Sequence, residues 1–180
     1  MRTILEYLSN KIVQSKIKAT DETIEQIVKD ELKRLGNDTD LNHIDVSEVT
    51  NMYNLFRCDD YGKLWPNVKN LNPDISQWNV RKVEIMKFMF AFNENFNQDI
   101  SGWNVSNVKD MDRMFYAAKK FNQDLSQWDV SNVKSMMFMF GYCENFNQDL
   151  SKWNIRGVKN AYQMFHNCPI EEKYKPNFKI

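Results

Sequence analysis

Phe121-Asn122-Gln123-Asp124-Leu125-Ser126-Gln127-Trp128-Asp129-Val130-Ser131-Asn132-Val133, continued by Lys134-Ser135-Met136-Met137-Phe138-Met139-Phe140, is one copy of a unit that returns every 25 residues. Trp78, Trp103, Trp128 and Trp153 keep that spacing without slippage. So do Asp74, Asp99, Asp124 and Asp149, the serines two residues after them, and the pairs Met89-Phe90, Met114-Phe115, Met139-Phe140 and Met164-Phe165. A period between 20 and 50 residues marks a stacked repeat array, because a single unit cannot bury its own apolar face. An earlier, weaker copy runs Ile44, Val46, Val49, Met52, Leu55, Phe56, and it lies 34 residues before its successor.

Within a unit, Leu125, Trp128, Val130 and Val133 read L-x-x-L-x-L-x-x-L, close to the leucine-rich-repeat core pattern. Trp128 and Val130 alternate with Gln127, Asp129 and Ser131, which predicts a short strand with one buried face. Val133, Met136, Met137, Met139 and Phe140 recur at helical spacing behind the capping candidates Ser131 and Asn132, which predicts a short helix. The expected fold is therefore α/β: a leucine-rich-repeat-like right-handed solenoid with one short parallel strand and one short helix per 25-residue repeat, and a helical N-terminal cap. Strands pair at about 4.8 Å and helices pack at about 8–10 Å, so such a stack curves with its strands on the concave side.

The string Phe-Asn-Gln-Asp-Leu-Ser-x-Trp-Asp/Asn-Val-Ser-Asn-Val-x-x-Met-x-x-Met-Phe, fullest at Phe96 to Phe115 and Phe121 to Phe140, resembles the BspA-like leucine-rich-repeat family. That family includes surface lipoproteins of mycoplasmas and other bacteria. The resemblance implies a right-handed repeat stack and, for secreted relatives, adhesion or host-protein binding. It supplies no catalytic residues.

Outside the repeats, Ile4, Leu5, Leu8, Ile12 and Val13, and then Ile24, Ile27, Val28, Leu32 and Leu35, fall near helical spacing, with Thr20 and Asp21 as start signals and Gly36 as a stop. Three regions are expected: a two-helix cap over 1–42, repeats over 43–168 and a closing tail over 169–180. An insertion near 57–70 includes Asp59-Asp60-Tyr61-Gly62-Lys63-Leu64-Trp65-Pro66, whose Gly, Pro and acidic content suits a loop.

Equal numbers of basic and acidic side chains, 24 of each, remove the broad positive field that non-specific nucleic-acid binding needs. No stretch approaches the roughly 20 apolar residues of a membrane span, and the first residues lack a signal-peptide core. As written the chain is expected to be cytoplasmic, or at the cell surface or secreted if a leader has been removed from it. Cys58, Cys143 and Cys168, odd in number and without C-x-x-C spacing, are expected to be free thiols rather than a disulfide or zinc framework.

Candidate chemistry is sparse. The Asp74, Asp99, Asp124, Asp149 series resembles a calcium ladder, but aspartates in a repeated polar turn more readily bond their own backbone, and the Gly-rich turns of calcium solenoids are missing. The tryptophans fit the core pattern better than an exposed sugar platform. His43 and His166 sit in no hydrolase, metalloprotease or phosphate-binding motif. No enzyme activity, metal or cofactor is expected. The expected function is protein binding through the concave strand face at Gln77, Asn79, Arg81, Asn104, Ser106, Gln127, Asp129, Ser131, Lys152, Asn154 and Arg156, with glycan binding by an adhesin as the alternative.

Overall fold

The computed structural model describes residues 16–59 and 70–178. The expected first helix, Ile4 to Val13, and the loop from Asp60 to Pro66 lie outside the described residues. Strand β1, Ile17–Lys18, pairs in parallel with β2, Ile44–Asp45. Between them in sequence, helix α1, Ile24–Leu35, buries Ile24, Val28 and Leu32, which a four-residue step places on one stripe. It ends at Gly36, whose φ of 98° a side chain would resist and whose N–H donates to the Leu32 carbonyl. Asp21, ahead of α1, accepts the backbone N–H groups of Thr50 and Asn51 at 2.7 and 3.1 Å and so ties this segment to the first unit.

The units themselves are made of turns. In the copy that starts at Phe96, the N–H of Trp103 donates to Ile100, Val108 to Val105, Met114 to Met111, Tyr116 to Arg113, Ala118 to Phe115 and Phe121 to Ala118. Each is a three-residue return; in all but one the buried apolar residues stand at the two ends, whereas the Arg113–Tyr116 turn holds the buried Met114 and Phe115 between its half-buried ends. Three of these turns overlap, starting at Met111, Arg113 and Phe115, and form a compact ribbon. Arg113 and Ala117 within it have φ of 53° and 56°, the third-position geometry of a type II turn. The same two places in neighbouring units are Phe88 and Phe92, Phe138 and Tyr142, Gln163 and Asn167, all with positive φ.

Every second N–H of the ribbon leaves the unit. Met111, Arg113, Phe115 and Ala117 donate to the carbonyls of Ser135, Met137, Met139 and Gly141 at 2.8–3.0 Å, and the adjoining units repeat the arrangement. Of the intervening N–H groups, Asp112 donates to Asp110 Oδ1 and Met114, Tyr116 and Ala118 close the turns, so the backbone donors are accounted for without a helix or a strand. Isolated parallel bridges link Ile85, Asp110, Ser135 and Asn160, one per unit.

The strand-plus-helix solenoid expected from the leucine-rich-repeat pattern is therefore not the fold. Among the described residues there is one α-helix and one two-stranded pair, and neither a strand nor an α-helix falls within 70–168. The physical reason is that apolar residues three apart suit a turn as well as a helix, and two positive-φ residues per unit break the right-handed path a helix needs. Around Trp103 and Val105, where a strand was expected, turns on either side take up the backbone. The predicted concave strand face loses its basis with the strands.

Side chains hold neighbouring units in register. Each Trp indole N–H donates to a carbonyl of the unit before it: Trp78 to Leu41, Trp103 to Ile75, Trp128 to Ile100 and Trp153 to Leu125, at 2.9–3.2 Å. Asn72, Asn97 and Asn122 each accept, through Oδ1, the N–H of the asparagine 25 residues later at 2.9–3.0 Å. Gln98, Gln123 and Gln148 reach the carbonyls of the same asparagines. The core is a pile of phenyl rings: Phe56, Phe90, Phe115, Phe140 and Phe165 stack at 5.5–5.7 Å between centroids. A second column, Phe96, Phe121 and Phe146, lies against it with centroids 3.9–4.1 Å away. The tail, with a 3-10 turn at Glu172–Tyr174, closes part of the last unit through Leu150 N–H to the Tyr174 carbonyl at 2.8 Å.

The repeated aspartates are turn formers. Asp74, Asp99, Asp124 and Asp149 each accept the N–H of the serine two residues on at 2.8–2.9 Å. The serine hydroxyl and then its N–H hold Asp45, Asp99, Asp129 and Asp149 below the ordinary aspartate value, and the Ser76 N–H leads in doing so for Asp74. A depressed folded-state pKa means that the unfolded chain binds more protons in the acid range. Its stabilisation is present above the ordinary value near 4 and fades as pH falls through the lowered one. The thermal midpoint is therefore expected to fall between pH 5 and pH 3, and Asp99→Asn, which keeps an oxygen acceptor, to reduce that slope.

Candidate functional site: an aromatic and arginine band

The outward residues of the ribbon form a band of rings and cations. Arg113 lies between two phenyl faces, 5.3 Å from the Phe88 centroid and 5.2 Å from that of Phe138. Arg57 covers Phe88 at 4.7 Å while its guanidinium forks onto Asp59 at 2.5 and 2.8 Å. Lys87 sits 3.7 Å from Asp112, a buried carboxylate that also accepts the Ser135 hydroxyl and the Met137 N–H. Arg113 has no carboxylate partner among the described residues; the phenyl faces hold it, an arrangement that leaves its hydrogen-bond donors available.

Beside this file runs a zigzag of larger rings. Phe92 meets Tyr116 at 5.2 Å, Tyr116 meets Tyr142 at 5.4 Å, and Tyr142 meets His166 at 5.1 Å, with ring planes 69–75° apart. The zigzag arises because a large side chain in one unit is set against a small one in the next: Ala91-Phe92, Tyr116-Ala117, Gly141-Tyr142, His166-Asn167. A Cβ on Gly141 would come within 3.0 Å of the Tyr116 ring, so glycine is what admits that ring. Burial raises the Tyr116 phenol above its usual pKa, keeping it a neutral donor. Tyr53, Tyr142 and Tyr162 are 43%, 38% and 63% exposed, and the other rings of the band are half-buried.

The residues singled out from sequence lie on the tryptophan side of the units. Gln77, Asn79, Arg81, Asn104, Gln127, Asp129, Lys152, Asn154 and Arg156 are exposed, and Ser106 and Ser131 are half-buried. Their polar groups serve mostly local turns. Asn79, Asn104, Asp129 and Asn154 each accept the N–H of the residue two further on, at 3.1–3.4 Å. The carbonyls of Arg81 and Ser106 accept Asn107 and Asn132 from the next unit at 2.7 Å. This row is a hydrogen-bonded lattice more than a set of free recognition groups.

The thiols are free; burial raises Cys58 to about 12, and Cys143 and Cys168 likewise above the ordinary thiol value. Among the described residues no three His, Cys, Asp or Glu side chains cluster as metal ligands, and no helix is long and apolar enough to cross a membrane. The family model described as a Mycoplasma protein of unknown function, DUF285, matches residues 60–177. No curated protein and no solved structure matches the chain.

Proposed function

The chain belongs to the family of Mycoplasma proteins of unknown function, DUF285, and from that premise we propose that it is a non-enzymatic protein-interaction module whose partner docks on the aromatic and arginine band. The observation that carries this reading is Arg113, held between Phe88 and Phe138 with no carboxylate partner among the described residues. Aromatic residues, methionine and arginine are enriched at the centres of protein interfaces, and tyrosine and arginine dominate their energetic hot spots. A contiguous half-exposed aromatic surface is also more than scattered apolar residues require. The likeness of the repeat motif to BspA-like surface proteins supports a kinship with them and a partner met at the cell surface.

Glycan binding is the second reading, favoured by the exposure of Tyr162. It ranks lower because neighbouring rings meet edge to face, so no two adjacent rings make one flat platform for a sugar.

The test replaces Tyr142 with a photo-crosslinking phenylalanine analogue and identifies the captured protein. Its affinity is then measured for wild type and for Arg113→Ala with Tyr142→Ala. Loss of a hot spot weakens binding by about 30-fold or more. If affinity is instead unchanged by these two and lost on charge reversal at Arg81, Asp129 and Arg156, the binding surface is the tryptophan side.

A further inference from the structure

The ribbons give the array a polarity. In the next-to-last unit, Met136, Phe138, Phe140 and Tyr142 donate to the carbonyls of Asn160, Tyr162, Met164 and His166 at 2.7–3.0 Å. The corresponding donors of the last unit are Ala161, Gln163, Phe165 and Asn167. No acceptor meets their N–H groups among the described residues. This edge offers a row of donors without intervening acceptors, because the alternate carbonyls of the ribbon close its own turns at Met164, His166 and Cys168.

A cavity of about 310 Å³ adjoins the row, with Ile155, Val158, Ala161 and Phe178 as apolar lining and Arg156, Lys159 and Asn177 as polar lining. Ala161 stands where Met52, Met86, Met111 and Met136 stand in the other units, so a shorter side chain at the edge leaves room. Neither Arg156 nor Lys159 has a carboxylate partner among the described residues. One unit pair shows that a lysine and a carboxylate in this file can bond across neighbouring units: Lys109, two units before Lys159, binds Glu84 of the unit preceding its own at 2.7 Å. The tail flanks this half without bonding its donors: Asn177 and Phe178 line one side of the cavity and Phe178 meets the Phe165 ring edge-on at 6.4 Å, while the backbone bonds that join the tail to the units go, among the described residues, to Leu150 and Asn147.

We propose that this edge binds a segment of another polypeptide that adds one more ribbon, carrying the pattern acidic-x-Met-x-x-Met-Phe. Its carbonyls take the four free N–H groups, its first Met enters the cavity beside Ala161, and its acidic residue pairs with Lys159. Two identical edges cannot pair, because donors would face donors. Stacking of a second copy head to tail is hindered at the opposite end, where Asp21 and Ile24 lie against the first ribbon. The chain's own Glu84-Ile85-Met86-Lys87-Phe88-Met89-Phe90 has the required pattern and serves as a template for the partner.

The probe is a synthetic peptide copying residues 83–93 with a short polyethylene glycol tail for solubility, titrated into the full chain. Amide exchange followed by NMR is expected to slow at Ala161, Gln163, Phe165 and Asn167. Lys159→Glu is expected to weaken binding about three- to fivefold, the range of an exposed ion pair, and a peptide with lysine in place of its glutamate to restore it. Circular dichroism establishes that the variant is folded. Unchanged exchange at the four amides at millimolar peptide overturns the proposal, as does protection confined to the aromatic band or a charge swap that fails to restore affinity.

Discussion

Phe115→Ala is expected to destabilise the protein by about 3–5 kcal/mol, the usual cost of removing a fully buried phenyl ring. The ring is completely buried and stacks on Phe90 and Phe140 in its own column and on Phe121 in the next. It therefore touches three units at once, and neighbouring rings cannot collapse into the space without leaving their backbone ladders. For a chain of this length the loss corresponds to a fall of about 6–20 °C in the thermal midpoint. A change below about 1 kcal/mol would mean that the ring columns are not the principal core.

Ala117 provides the second large effect and a check on its sign. Its φ is 56°, and its N–H donates to the Gly141 carbonyl at 2.8 Å. Ala117→Pro would force φ to about −65° and remove the donor, at a cost of about 3 kcal/mol or more. Ala117→Gly should act in the opposite direction. A left-handed residue with a Cβ carries roughly 1–2 kcal/mol of strain, of which glycine's extra chain entropy offsets about 0.5–1. The urea midpoint is thus expected to fall steeply for proline and to rise slightly for glycine. If both substitutions destabilise alike, the type II turn at this position is not what shapes the ribbon.

The repeat and its buried side chains were readable from sequence: the tryptophans, the Met-Phe pairs and the leading phenylalanines are all core or nearly so. Secondary structure was not, and the cause is specific. Steps of three from Val108 to Met111 to Met114 are shared by helices and by consecutive turns, and the sign of φ at the outward positions separates the two. Those positions hold Phe88, Arg113, Phe138 and Gln163, which give none of the warning that glycine would. Asp-x-Ser, by contrast, advertises its turn. The binding row was inferred from strand alternation, so it fell on residues engaged in local bonds. The signal for the band lay in positions that differ from unit to unit, where large aromatic residues alternate between two adjacent sites. Cys143 and Cys168, 25 residues apart, occupy equivalent places beside that band, a regularity also visible in the sequence.

The alternation of Phe92, Tyr116, Tyr142 and His166 between neighbouring files constrains how such a gene can grow or shrink. Losing one unit by unequal recombination would set Phe92 directly over Tyr142, or Tyr116 over His166, in a file that accommodates one large ring only beside a small neighbour. Losing two restores the alternation. Arrays with this surface are accordingly expected to change length by 50 residues at a time, and the odd-numbered intermediate to survive only where a compensating glycine or alanine has already arisen.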